Sequence, residues 1–159
     1  PTILAYLPQT SAEQVFLTLE DESSNYFYHT TFELPAEAGV VSFTIPDTAP
    51  ELELDKFYRI SFALVCGQRL DPNDPVVEGW IKRSEPSAGA GSQSGALAPL
   101  ELGSWYARNG IWFDAAQVLA DLRRSEPGNA EAIAAWEQFL ASAGLDSIAT
   151  QTLRSQLAE

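Results

Sequence analysis

His29 and Cys66 are the side chains around which a catalytic site of this sequence would have to form. His29 is the only histidine, so a histidine-based zinc site or a Ser-His-Asp triad would have to be built around it. Its neighbours Tyr28 and Thr30 alternate as they do along a strand, and we interpret His29 as a strand-surface residue. Cys66 lacks the electropositive surroundings of a reactive thiolate, so we expect a buried apolar residue or a partner for a cysteine outside the sequence. We predict no catalytic residue and no enzyme activity.

Three oxygen-bearing side chains, Asp71, Asn73 and Asp74, lie close together between turn-forming prolines. Hard cations such as calcium bind oxygen clusters of this kind. The segment lacks the alternating acidic positions, the central glycine and the terminal glutamate of a helix-loop-helix calcium site. An Asx-type turn explains the same residues, and we favour that interpretation. We expect no metal ion and no other cofactor.

Aromatic residues provide a candidate carbohydrate site. Tyr26, Phe27 and Tyr28 are consecutive in a strand-like segment, so their rings occupy both faces of the strand. At least one ring should lie away from the core, where it could stack on a sugar. The alternative, which we favour, is that the C-terminal part of the chain covers Phe27.

The charge balance disfavours some partners. The chain has 22 acidic and 9 basic residues and a net charge of −13, which repels phosphate backbones and anionic lipid headgroups. We therefore expect neither nucleic-acid nor membrane-surface binding. No apolar run reaches the roughly 18 residues of a membrane span. The chain starts at Pro1 and contains no methionine, from which we expect that a leader or a longer N-terminal region precedes it.

Residues 1–83 have the pattern of a β-sandwich. Apolar residues alternate with polar ones in short segments separated by Pro, Asp, Asn and Gly, which favours an antiparallel, immunoglobulin-like sandwich with Trp80 in its core. The predicted strands are Ile3–Leu7, Glu13–Leu19, Tyr26–Leu34, Val40–Ile45, Phe57–Cys66 and Val76–Arg83.

Residues 84–98 are rich in Ser, Ala and Gly and are interpreted as a linker. Residues 99–159 have helical periodicity, with Asn129 as an N-cap and Gly144 as a helix end. The predicted helices are Pro99–Arg108, Ile111–Ser125, Asn129–Ala143 and Ser147–Ala158. A small helical subdomain cannot bury its own apolar face, so we expect it to pack on the sandwich and predict an α+β fold.

The first two of these helices resemble a single tetratricopeptide unit. The resemblance rests on the spacing of Gly103, Tyr106, Gly110, Trp112, Ala115, Leu119, Leu122 and Pro127. We expect Gly110 and Ala115 to let the two helices approach each other, and Pro127 to end the second.

Three ordered runs carry a resemblance that covers nearly the whole chain. They are Tyr58 to Cys66, Val77 to Arg83 and Tyr106 to Ala115. The chain resembles the cyanobacterial family catalogued as domain of unknown function 928. The resemblance implies an exported protein, periplasmic or extracellular, and an upstream cysteine that could pair with Cys66. It implies no activity and no site residue.

These patterns predict a binding or scaffolding protein that acts through protein–protein contacts on its helical part. Arginine and tryptophan are the residue types that most often anchor such contacts. The candidate protein-binding residues are Trp105, Arg108, Trp112, Arg123, Arg124 and Trp136. The alternative function is glycan binding through Tyr26, Phe27 and Tyr28.

Overall fold

The computed structural model describes residues 1–23, 25–85 and 97–157, so most of the predicted linker lies outside the described residues. The strands are β1 (Thr2–Leu7), β2 (Gln14–Asp21), β3 (Phe27–Glu33), β4 (Gly39–Thr44), β5 (Phe57–Val65), β6 (Val76–Lys82) and β7 (Leu153–Leu157). The helices are α1 (Pro99–Arg108), α2 (Trp112–Ser125), α3 (Ala130–Ser142) and α4 (Asp146–Ala149).

The strands form two sheets. Sheet A has the order β1-β4-β7, and sheet B has the order β3-β2-β5-β6. Neighbouring strands are antiparallel except for β4 and β7, which are parallel. The order of sheet B is that of strands C′, C, F and G of an immunoglobulin-like sandwich, and β1 and β4 take the places of B and E. The predicted α+β fold, an immunoglobulin-like sandwich followed by helices, is confirmed.

The inner faces of the two sheets form one hydrophobic core. Leu17, Val41 and Tyr58 are fully buried in it. The prediction that Trp80 fills this core is wrong, since its side chain is 53% exposed. Trp80 pairs with Arg59, and the buried Tyr58 pairs with Ile81, so the parity of the two strands places Trp80 on the outer face.

A buried carboxylate closes the turn between β2 and β3. Asp21 is 3% exposed and accepts hydrogen bonds from the backbone N–H groups of Asn25 (2.8 Å) and Tyr26 (3.1 Å). The Lys56 ammonium lies 2.7 Å from the same carboxylate. Lys56 and these donors hold the pKa of Asp21 well below its usual range. Asp21 is therefore a structural ion that fixes the start of β3.

The helices cover the outer face of sheet A. Leu4 of β1 and Leu153 of β7 pack against the helical core, which includes Leu119 and Trp136. As a result, the first five residues of β4, the central strand of sheet A, are all buried. The outer face of sheet B has no such cover among the described residues, and β3 alternates between buried and exposed side chains.

The C-terminal segment differs from the prediction. The helix predicted over Ser147–Ala158 is limited to the single turn of α4, and the strand β7 follows it. The Val40 N–H donates to the Thr152 carbonyl at 2.8 Å, and the Arg154 side chain donates to the Ala38 carbonyl at 2.9 Å. These bonds join residues more than 100 positions apart, which local periodicity does not register.

The crossing of α1 and α2 depends on a glycine. A Cβ atom at Gly103 would lie 2.7 Å from Cδ2 of Leu119, so the absence of a side chain permits the close approach. The expectation that Gly110 has this role is wrong. Gly110 has a φ of +73° in the exposed turn between the helices, with no atom of another described residue within 4 Å of its Cβ position. Ala115 is fully buried in the helical core.

We expect Gly103→Ala to destabilise the protein, because Leu119 is 2% exposed and has little room to move away from the added methyl group. Overpacking of this kind costs about 1–3 kcal/mol of unfolding free energy. Urea denaturation followed by circular dichroism measures the change. Gly128→Ala is the matched control, since nothing lies within 4 Å of its Cβ position, and it should change stability little. Equal stability of the two variants would contradict the assigned close approach.

Candidate functional site

Two of the predicted partner-binding residues donate to the same backbone carbonyl of this chain. Trp136 is 1% exposed, and its indole Nε1–H donates to the Ala149 carbonyl at 3.1 Å. The Arg123 guanidinium donates to the same carbonyl, also at 3.1 Å. The assignment of Trp136 as a surface anchor is wrong because its side chain is buried, whereas Arg123 is half-buried and helps to satisfy the carbonyl that ends α4.

Arg124 also has its hydrogen bonds within the chain. Its guanidinium contacts the hydroxyl of the buried Ser42 in β4, donates to the Arg154 carbonyl at 2.9 Å, and pairs with Asp121 at 2.5 Å. With its side chain 20% exposed, it joins α2 to two strands of sheet A. The interpretation of Arg124 as a receptor for partner carboxylates is therefore also wrong.

The remaining three predicted residues lie nearer the surface. Arg108 is exposed at the end of α1, and Trp105 is half-buried, with its ring 5.3 Å from that of Tyr106. Trp112 is half-buried, its ring lies 5.0 Å from that of Phe139 at a tilt of 31°, and it lines a hollow at the edge of the sandwich. The structure does not bring the six residues together as one recognition surface.

The three candidate glycan-binding residues also divide between two faces. Tyr26 and Tyr28 pack against the sandwich core, and the Tyr26 hydroxyl donates to the Pro50 carbonyl at 2.6 Å. Burial raises the pKa of Tyr26 above its usual value. Phe27 alone points outward and is 60% exposed. The expectation that the helices cover Phe27 is wrong, because they pack on the other sheet.

The two candidate catalytic side chains lie on unrelated surfaces. His29 is exposed on the outer face of β3, between the rings of Phe16 (5.4 Å) and Phe27 (5.5 Å), as expected of a strand-surface residue. Cys66 is exposed rather than buried, because it follows the last residue of β5. Partial desolvation of the sulfur and the nearby Asp74 carboxylate raise the pKa of the Cys66 thiol, which disfavours the thiolate.

The acidic loop is an Asx-type turn, as favoured from the sequence. Asn73 donates its backbone N–H (2.9 Å) and its side-chain amide (2.8 Å) to one carboxylate oxygen of Asp71. The Asp71 N–H donates to the Asp74 carboxylate at 2.9 Å. Within the described ranges, no group of three or more His, Cys, Asp or Glu side chains is arranged to hold a metal ion. Nor does any helix in those ranges have the length and apolarity to cross a membrane.

Two hollows lie along the flank of the sandwich between β1 and β6, an edge strand of each sheet, and we refer to this flank as the groove. One end holds a hollow of about 190 Å³ between Leu7 and Val77. The other end holds a hollow of about 750 Å³ between Ile3 and Ile81, lined on one side by the turn between α1 and α2. Val77 pairs with the core residue Phe62, yet it is 60% exposed. The groove therefore exposes apolar side chains on the inner face of sheet B.

Both strands that border the groove have a free edge among the described residues. The Leu64 N–H donates to the Pro75 carbonyl at 2.9 Å, which sets the hydrogen-bond alternation of β5 and β6. The main-chain groups that consequently point into the open flank are those of Val76, Glu78, Trp80 and Lys82. By the same alternation, Leu4 and Tyr6 of β1 direct their main-chain groups away from β4.

A second exposed surface is the outer face of sheet B. One cross-strand row, in order across the four strands, consists of Phe27, Glu20, Arg59 and Trp80. Arg59 forms an ion pair with Glu20, and these polar groups separate the two exposed rings.

A family model described as Domain of Unknown Function (DUF928) matches residues 1–153. The chain belongs to the DUF928 family. Comparison with the curated proteins gave no match, and comparison with the solved structures gave none either. Family membership therefore identifies the chain without assigning a site, and the candidate sites of this DUF928 chain rest on its own geometry.

The sequence analysis did not find the groove. Its wall includes Val77 and Ile111, which have no distinctive residue type or spacing. Strand parity within β6 was the available signal, because pairing Trp80 with Arg59 makes Val77 an inward-facing residue on an edge.

We expect Arg124→Ala to destabilise this DUF928 chain by about 1–3 kcal/mol, because it leaves the buried Ser42 hydroxyl and the Arg154 carbonyl without a donor. Urea denaturation provides the measurement. Arg108→Ala removes the same charge from an exposed position and should have little effect. A stability unchanged by Arg124→Ala would argue against its role as a joint between helix and sheet.

Proposed function

We propose that this chain is a non-catalytic binding protein that recognises a partner protein through the groove between β1 and β6. The observation that carries the proposal is the exposure of Val77, an inward-facing valine that a complete sandwich would cover. Concave apolar surfaces with a polar rim are typical of protein-binding sites.

The composition of the groove supports the same proposal. Tyr6 is 40% exposed on one wall and Val77 is 60% exposed on the other. Trp112, one of the residues first predicted to bind a partner, lines the wider end. Aromatic side chains beside aliphatic ones are the composition expected of a binding hot spot. Trp105 and Arg108 lie on the same pair of helices and are candidate rim residues.

The test uses peptides of about 12 residues, selected from a displayed random library on the immobilised chain, since a strand as long as β6 and its flanks has about this length. We expect Val77→Asp to weaken the selected peptides about tenfold or more, because it places a charge in an apolar groove. Fluorescence anisotropy with labelled peptide gives the affinity.

Thr31→Asp is the matched control, since it adds the same charge to an exposed position on β3, the opposite edge of sheet B, and should leave the affinity unchanged. Circular dichroism checks that both variants are folded. The proposal fails if no peptide is selected or if the selected peptides bind Val77→Asp as tightly as the unsubstituted chain.

Glycan binding on the outer face of sheet B is the second candidate. The supporting observation is the row in which Phe27 and Trp80, 60% and 53% exposed, flank the Glu20–Arg59 ion pair. Three strand spacings separate the two rings, about 14 Å, which suits a short oligosaccharide that stacks at both ends. Tyr26 and Tyr28 are not part of this candidate.

On an oligosaccharide array, glycan binding predicts a signal that Trp80→Ala and Phe27→Ala each abolish and that Val77→Asp retains. Both aromatic side chains are more than half exposed, so their removal should leave the fold intact. Absence of any bound oligosaccharide, or binding that survives both substitutions, counts against the glycan function.

We also propose a periplasmic or extracellular setting in a cyanobacterium, as the family resemblance implies. The exposed Cys66 is consistent with a disulfide to a cysteine elsewhere in a longer chain. Fractionation of the source cells, followed by detection with an antibody, tests the setting, and recovery from the cytoplasm would contradict it.

A further inference from the structure

Within the described ranges β6 has no strand on its outer edge, and this edge limits the kind of ligand that the groove can bind. Val76, Glu78, Trp80 and Lys82 present main-chain N–H and C=O groups to the flank along the length of the groove. A row of alternating donors and acceptors at this spacing is complementary to the backbone of another extended strand. Val77 and Ile81 of the same strand face the space between the sheets, where the side chains of an added strand would also lie.

The charges at the wider end indicate what such a strand carries. Lys82 pairs with Asp55 at 3.2 Å and Arg83 with Glu51 at 3.4 Å, so both cations of this rim are neutralised. Asp114 lines the same hollow and forms no ion pair with a described residue. Desolvation raises the pKa of Asp114, whereas its own backbone N–H and the Pro1 ammonium oppose this rise, and a further cation beside the carboxylate would stabilise its charged form.

Asp47 lines the hollow as well and has no ion-pair partner in the described part of the chain. The net charge of −13 adds a long-range attraction for basic segments. The wider end of the groove is therefore suited to a Lys or Arg side chain, and the narrow end, with Leu7 and Val77, to an apolar one.

We propose, resting on the proposed function, that the ligand is an extended segment of a partner protein that adds to the free edge of β6 as a fifth strand of sheet B. Alternate side chains of this segment are apolar and enter the groove, and a basic side chain at one end approaches Asp114. Main-chain hydrogen bonds supply affinity, while the two hollows and the carboxylates supply specificity.

The alternation of amides in β6 gives the decisive measurement. With the peptides selected as above, hydrogen exchange followed by NMR on the ¹⁵N-labelled chain should slow by about tenfold or more at Glu78, Trp80 and Lys82. The amides of Val77, Gly79 and Ile81 already donate towards β5 and serve as internal controls, with a smaller change expected.

A second measurement uses the unsubstituted protein and changes the peptide instead. N-methylation of the peptide at successive residues should weaken binding at every second position, about tenfold each, because only alternate N–H groups of an added strand face β6. Asp114→Asn should weaken peptides that carry a basic residue and leave their neutral analogues unaffected. Glu101→Gln, at an exposed position on α1, controls for the loss of a negative charge.

The outcomes separate this inference from the proposed function. Peptides that are sensitive to Val77→Asp but show no alternation bind by side chains alone, which overturns strand addition and keeps the groove as a protein-binding site. Absence of selected peptides overturns both. Slow exchange of the outward amides in the chain alone, or concentration-dependent dimerisation by sedimentation, would mean that the chain itself or a second copy covers the edge, which also overturns the inference.

Discussion

The helices bury the outer face of sheet A, and this packing determines which surfaces of the sandwich are available. The first five residues of β4 are buried on both faces of the sheet, and their sequence, Gly-Val-Val-Ser-Phe, has no polar side chain larger than serine. In β3, by contrast, buried and exposed side chains alternate. A strand covered on both faces requires a nearly continuous apolar run, whereas a strand covered on one face requires alternation. Sheet B is the sheet that keeps an exposed face.

Three of the residues predicted to bind a partner protein instead form hydrogen bonds within the chain, where the helices meet one another and sheet A. Arg123 and Trp136 both donate to the Ala149 carbonyl, and Arg124 donates to the Arg154 carbonyl. These bonds position the end of α4 and the start of β7. Residue types with long reach and several donors suit partner recognition and internal joints equally well, because both require a distant acceptor to be satisfied. Burial distinguishes the two roles, and it depends on contacts that sequence spacing does not specify.

Sequence pattern was sufficient for the elements whose stability is local. Strands β2, β3 and most of β5 alternate with period two, and the Asn129 side chain accepts the predicted capping bonds from Glu131 (2.9 Å) and Ala132 (3.2 Å). The sequence pattern gave wrong predictions where pairing with a segment distant in the sequence determines the structure. β7 is a strand because it pairs with the edge of β4. Trp80 is exposed because its pairing with Arg59 places it on the outer face of sheet B. Predicting the groove requires both the alternation within each strand and the placement of the two strands side by side, since they are more than 60 residues apart in the sequence.

The fold itself illustrates how an edge of this sandwich can be extended. β7 reaches sheet A from beyond the helices and adds to β4 in parallel, with a register shift between Val40 and Ser42. The edge of β6 differs from that of β4 because Pro75 precedes it and Glu78 and Lys82 place charges along it. Charges and proline on an edge disfavour pairing between identical copies, and a net charge of −13 adds repulsion between them. A basic strand from a different protein meets no such repulsion, so the features that protect this edge against self-association also favour a partner of opposite charge.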